Sequence, residues 1–135
     1  MKITTTILVS VLFLAGALIT SQQLQAQDAC GDASSSYKLV IHVSDNRPTR
    51  VTNKGEDAND FHVCNGDEVE WQLVGSGKQF WVNFIDGAPF SGGEKKNSNN
   101  NGKISVVIGG AAQPYKYDIG IVDGEILDPR IIIRD

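Results

Sequence analysis

From residue 37 onward, apolar and polar side chains alternate in short runs, and each run predicts a half-buried strand. Tyr37, Leu39, Ile41 and Val43 share one face, with Lys38 and His42 on the other. Phe61 to Cys64 is a short strand. Val69, Trp71 and Leu73 then alternate with Glu68, Glu70 and Gln72, and Phe80, Val82 and Phe84 alternate with Trp81 and Asn83. Ile104, Val106 and Ile108 form another run. Tyr115, Tyr117, Ile119 and Ile121 form the next, and Arg130 to Arg134 is a closing β-branched run. Between them, Asn65-Gly66-Asp67 supplies the positive φ angles of a tight reversal. Gly75-Ser76-Gly77 and the stretch from Gly109 to Pro114 break the chain elsewhere.

Two segments lack alternation. Residues 44–60 read as a long polar connection with room for one short strand at Arg50–Thr52. Residues 86–103 are rich in Gly, Asn, Ser and Lys, which predicts a mobile surface loop that buries little. No segment has the 3.6-residue period of an amphipathic helix. About seven short strands separated by Gly, Pro and Asn turns predict an all-β sandwich over residues 37–135.

The N-terminus has a different pattern. Lys2 is followed by an almost wholly apolar run from Ile7 to Ile19, then by the polar Ser21-Gln-Gln-Leu-Gln-Ala26. This is the pattern of a secretory signal peptide over residues 1–26, with cleavage expected after Ala26. The apolar run is too short for a spanning helix, which needs about 20 apolar residues. No Leu-x-x-Cys lipidation box precedes Cys30. Residues 27–36 are small and polar and predict a loose arm, tied down where Cys30 is bridged. Removal of the leader is expected to leave no transmembrane segment and to place the protein in the periplasm or outside the cell.

With Lys2 set aside, eleven of the twelve basic side chains remain against sixteen acidic ones, a net charge of −5. Both signs are scattered, so no basic footprint for nucleic acid is present. For an exported chain with an even cysteine count, a Cys30–Cys64 disulfide is the expected arrangement. The alternative is that Cys64 acts as a redox or metal-ligating thiol. His62 lies two residues before it on a strand, hence on the same side, and His42 could complete a set of soft donors.

Four motifs, in order, resemble those of the cupredoxins, the plastocyanin and azurin type of copper sandwich. Gly66-Asp67-Glu68-Val69-Glu70-Trp71 resembles their Gly-Asp-x-Val-x-Trp segment. Phe80-Trp-Val-Asn-Phe84 resembles the strand that carries their first histidine ligand. Tyr115-Lys-Tyr-Asp-Ile119 resembles the strand entering their copper loop, and Leu127-Asp-Pro-Arg-Ile-Ile-Ile133 their methionine corner and last strand. The resemblance spans most of residues 37–134 and implies a Greek-key β-sandwich. It also implies where the ligands would fall: the first His at Phe80, the Cys at Ile119, the second His at Val122 and the Met at Leu127. A blue-copper centre needs His₂Cys, usually with a weak axial Met, and alkyl groups cannot donate to the metal. The expectation is therefore a copper-free domain, without cofactor, whose former metal pocket is packed with hydrocarbon.

Other chemistry is thinner. Glu68 and Glu70 share a wet strand face, where neighbouring carboxylates are ordinarily solvated, whereas glycosidase chemistry sets its pair across a cleft. No Ser/His/Asp or Cys/His motif and no phosphate-binding loop is present, so no catalytic residue is assigned. Alternation sets Trp81 opposite Phe80, Val82 and Phe84. With Lys95 and Lys96 of the neighbouring loop it is the candidate binding surface, while Tyr115 and Tyr117 belong to the core face. Asp128 is expected to cap a turn or to pair with Arg130 or Arg134. Together these readings favour a non-enzymatic binding module for a protein, peptide or cell-envelope ligand. A metal-handling or electron-transfer protein using a His/Cys site is the alternative.

Overall fold

The structure is a computed structural model and describes residues 30–122 and 124–135. The leader expected at residues 1–26 lies outside them. Eleven strands are present among the described residues: β1 (Ser36–Ser44), β2 (Arg47–Asn53), β3 (Glu56–Asp57), β4 (Asp60–Val63), β5 (Glu68–Val74), β6 (Phe80–Phe84), β7 (Lys95–Asn97), β8 (Lys103–Val107), β9 (Pro114–Ile121), β10 (Ile126–Leu127) and β11 (Arg130–Ile133). They form two sheets, ordered β3-β2-β1-β5-β8 and β4-β11-β9-β6-β7, with β10 paired to β9. Pairing is antiparallel except for β1 with β5 and β4 with β11, which are parallel. This is the all-β sandwich expected from the alternation, and each expected strand is present.

The additional strands lie where alternation is weak. β2 occupies the expected polar connection, where it extends the short strand expected at Arg50–Thr52 to Arg47–Asn53, and pairs with β1 through a reversal at Asp45 and Asn46, both with positive φ (50° and 63°). Asp and Asn adopt that conformation more readily than other non-glycine residues, so a two-residue hairpin forms without glycine. β7 lies inside the expected loop, paired with β6 in the register Trp81↔Asn97, Val82↔Lys96 and Asn83↔Lys95. Residues 86–103 therefore do not behave as a bare surface loop: Phe90 and Ser98 are buried, and Ser98 exchanges hydrogen bonds with the backbone of Phe80.

The inward faces meet at Trp71, which is fully buried with Phe84 and Tyr117. Its indole Nε1 donates to the Tyr117 hydroxyl (3.1 Å), and the two rings meet edge to face with centroids 5.7 Å apart. Phe84 stacks on Tyr117 at 4.9 Å and meets Phe90 at 5.2 Å. Burial raises the Tyr117 phenol well above its usual range, so its hydroxyl stays protonated. Leu39, Ile41 and Val69 close the core from the first sheet, and Val82, Ile119 and Ile131 from the second.

Cys30 and Cys64 are bridged, with Cα atoms 5.6 Å apart. The arm before β1 is held at a second point. The buried Asp67 carboxylate accepts from the Ser35 N–H (2.7 Å) and the Cys64 N–H (2.8 Å). Gly66, at φ 89°, gives the turn the backbone that brings Asp67 back to both donors.

Candidate functional site

The positions that the cupredoxin resemblance assigns to copper ligands lie at one end of the second sheet. Phe80 opens β6 and Ile119 lies near the end of β9, and both are buried. Cross-strand register places Val82 beside Ile119 and Phe80 beside Ile121. Leu127 of β10 is opposite Ile119 on its other side and packs against the core. Val122 departs from the expected hydrocarbon cluster, being 52% exposed. β9 ends at Ile121, and the chain then turns: the Gly124 N–H bonds back to the Ile121 carbonyl (2.9 Å), which carries Val122 outward. Four alkyl or aryl side chains offer copper no lone pair, so these residues do not fit a blue-copper centre.

The alternative donor set is not brought together. His42 is on β1 of the first sheet, with Nε2 2.8 Å from the Thr52 hydroxyl. His62 is on β4 of the second sheet, where its Nδ1 is enclosed without a hydrogen-bond partner. Cys64 is consumed by the disulfide, so the thiolate expected under that reading is not available. Among the described residues no group of three or more His, Cys, Asp or Glu could hold a metal ion.

The trio Trp81, Lys95 and Lys96 divides between two faces. Trp81 and Lys95 point outward from β6 and β7, and the Lys95 Nζ is 4.7 Å from the indole centroid, a cation–π contact. The indole also lies across Gly120, where a β-carbon would collide with the ring. Lys96 alternates to the opposite face. Its Nζ donates to the Gly92 carbonyl (2.9 Å) and is 5.4 Å from the Phe90 ring. These lysines are thus seated on aromatic rings, and the register that seats them depends on a strand the composition had hidden.

Glu70 is flanked by Lys103 (3.4 Å) and Lys38 (3.8 Å) on the outer face of the first sheet. With Ser36, Tyr37 and Glu68 they line a shallow depression of about 300 Å³. A carboxylate neutralised from two sides is a cross-strand charge ladder and has none of the geometry of an acid–base pair. Tyr115 and Tyr117 face the core, as alternation predicts. Asp128 pairs with Lys116 (2.7 Å) instead of the expected Arg130 or Arg134. Arg130 makes two bonds to Asp60 (2.7 and 2.8 Å) and holds that carboxyl below its ordinary range. Asp118 is shifted the other way, first by partial burial and then by the nearby Asp128.

One end of the sandwich gathers several connections. The Val122 N–H points to the Gln79 carbonyl (3.4 Å), and Arg47 pairs with Glu125. Gln79 also lines a depression with Asn99, Asn101 and Gly102. Val122 and Ile126 (57% exposed) place hydrocarbon on this end, and Ile85 (45% exposed) follows β6 at the other.

No known family profile and no curated protein matches the chain in sequence. Among solved structures it is similar to a reduced mutant of amicyanin, at 16% identity over 78% of this chain and 86% of that one, with a TM-score of 0.46. It is also similar to a pseudoazurin from Sinorhizobium meliloti, at 14% identity over 75% of each chain, again with a TM-score of 0.46.

Proposed function

We propose that this protein is a copper-free, cupredoxin-like sandwich that acts outside the cytoplasm as a non-catalytic binding module. The observation that carries the reading is the chemistry of the ligand positions: Phe80, Ile119, Val122 and Leu127 supply hydrocarbon where copper needs imidazole, thiolate and thioether. The disulfide and the separation of His42 from His62 support it. Native mass spectrometry after incubation with copper(I), copper(II) or zinc, with thiol counting in parallel, tests the absence of a metal role. No stoichiometric metal and no free thiol are expected. One bound metal together with two free thiols would overturn the reading in favour of a His62/Cys64 centre.

The partner in this reading is a protein, a peptide or a cell-envelope component, and it docks on the end that carries Val122 and Ile126. A surface hydrocarbon pair beside polar turns suits a small, specific contact. A photo-crosslinking side chain placed at Val122 in the producing cells should give a discrete adduct. The same group at Ile85, the exposed control at the other end of β6, should give none. Equal adducts at both positions, or none at Val122, would remove this end from consideration.

A further inference from the structure

The chain contains two Asn-Gly pairs, Asn65-Gly66 and Asn101-Gly102, and the fold treats them differently. We propose that Asn101 is a site of spontaneous deamidation in the folded protein and that folding protects Asn65. Asn-Gly is the dipeptide in which this chemistry meets least steric resistance, because glycine has no side chain to obstruct approach to its nitrogen. The Gly102 nitrogen attacks the side-chain carbon Cγ of Asn101. A C–N bond forms, the bond to the amide nitrogen breaks, and ammonia leaves carrying the proton. Water then opens the cyclic imide. Addition at the side-chain carbonyl gives aspartate, and addition at the backbone carbonyl gives isoaspartate, with the main chain rerouted through Cβ.

Asn65 is held against this reaction at each reacting group. Its side-chain amide is clamped to the backbone of Gly110, donating at 3.1 Å and accepting at 2.9 Å. The Gly66 N–H is committed to the Ile108 carbonyl at 2.8 Å, a contact between distant parts of the chain. The preceding residue, Cys64, is fixed by the disulfide. Cyclisation there requires several long-range contacts to open at once.

Asn101 has no such restraint. It is exposed, and its backbone N–H bonds to the Asn99 side chain (3.0 Å), while no hydrogen bond holds its side-chain amide among the described residues. The Gly102 N–H bonds to the Asn99 carbonyl (3.0 Å), within the same turn, and the longer-range bond at Gly102, from the Leu73 N–H to its carbonyl (3.3 Å), does not engage the nitrogen, so fraying of the turn frees the nucleophile. Space around Gly102 is open, with nothing within 4 Å of where a β-carbon would be.

The product would alter the end of the sandwich that carries the candidate docking surface. A new carboxylate would stand in the depression that Asn101 lines with Lys78 and Gln79. Isoaspartate would lengthen the turn in which the Asn99 side chain accepts from Asn101 and Lys103 (3.0 and 3.1 Å).

Incubating the disulfide-bonded protein at mildly alkaline pH, followed by peptide mapping that separates aspartate from isoaspartate, tests the inference. A reduced sample unfolded in urea is the reference. In that reference both sites should convert at similar rates. Folding should slow Asn65 by at least about tenfold and Asn101 by less than about threefold. Isoaspartate should accumulate at position 101, and Asn101→Gln should abolish the acidic species formed by the folded protein. Conversion of Asn65 in step with Asn101, or an Asn101 that stays intact in the folded protein while converting in urea, would overturn the inference. This test is independent of whether the docking reading holds.

Discussion

Removing the Cys30–Cys64 bridge with the double substitution Cys30→Ser and Cys64→Ser should lower the free energy of unfolding by about 4 kcal/mol, the chain-entropy value for a loop of this length. The cysteines are 34 residues apart, and the loop they close contains β1 to β4. The bridge therefore limits the unfolded ensemble over a third of the sandwich strands instead of pinning a loose tail. Urea denaturation of the wild type and the double variant gives the difference directly. A loss below about 1 kcal/mol would mean that residual structure already restricts this loop in the unfolded chain without the bridge. For a domain of this size, whose total stability is of the order of 5–15 kcal/mol, the expected loss is a large share of the whole.

Trp71→Ala should cost about 3–5 kcal/mol, the range for removing a large aromatic from a well-packed core. Two effects act together. The cavity opens between Phe84 and Tyr117, where three rings now meet, and the Tyr117 hydroxyl loses the indole donor that satisfies it. A double-mutant cycle with Tyr117→Phe separates these effects, since each single variant removes the hydrogen bond and only one removes the bulk. A coupling energy near zero would show that the bond adds nothing to the packing. Thermal and urea unfolding of the four proteins are the measurements.

The strands most legible in the sequence are those with a large inward side chain at every second position. Val69-x-Trp71-x-Leu73 and Phe80-x-Val82-x-Phe84 could be placed, and faced, from alternation alone. β2 was legible only as a short strand at Arg50–Thr52, because Pro48 and Thr49 interrupt the pattern before it, and the signal for its hairpin is the less familiar Asp45-Asn46 pair. β7 was hidden for a different reason. As an edge strand of sequence Lys-Lys-Asn it buries little of its own, and only its register with β6 gives it a place. Much of the candidate site depends on such registers. Trp81 was correctly placed on the outer face, but which lysine it meets follows from pairing across strands, which no local window contains. The outward turn of Val122 depends on where β9 stops, and a hydrogen bond from Gly124 decides that. Asp67 was visible as part of a turn and of the Gly-Asp-x-Val-x-Trp motif, with no contact attached to it. Its bonds to Ser35 and Cys64 join segments that the sequence does not show to be neighbours.

The parallel pairing of β11 with β4 bears on how the chain acquires its shape. β11 lies between β4 and β9, so residues 130–133 form an interior strand of the second sheet, and the Asp60–Arg130 pair spans 70 residues of sequence. Contacts of such separation are slow to form, because the closure entropy falls due before the pairing can compensate for it. Until those residues arrive, β4 and β9 each present an open edge of unpaired backbone groups, the condition in which strands join the wrong neighbour. A nascent or truncated chain that stops short of residue 130 would leave that gap unfilled, making the last strand the kinetic gate between a sticky half-sheet and a finished sandwich.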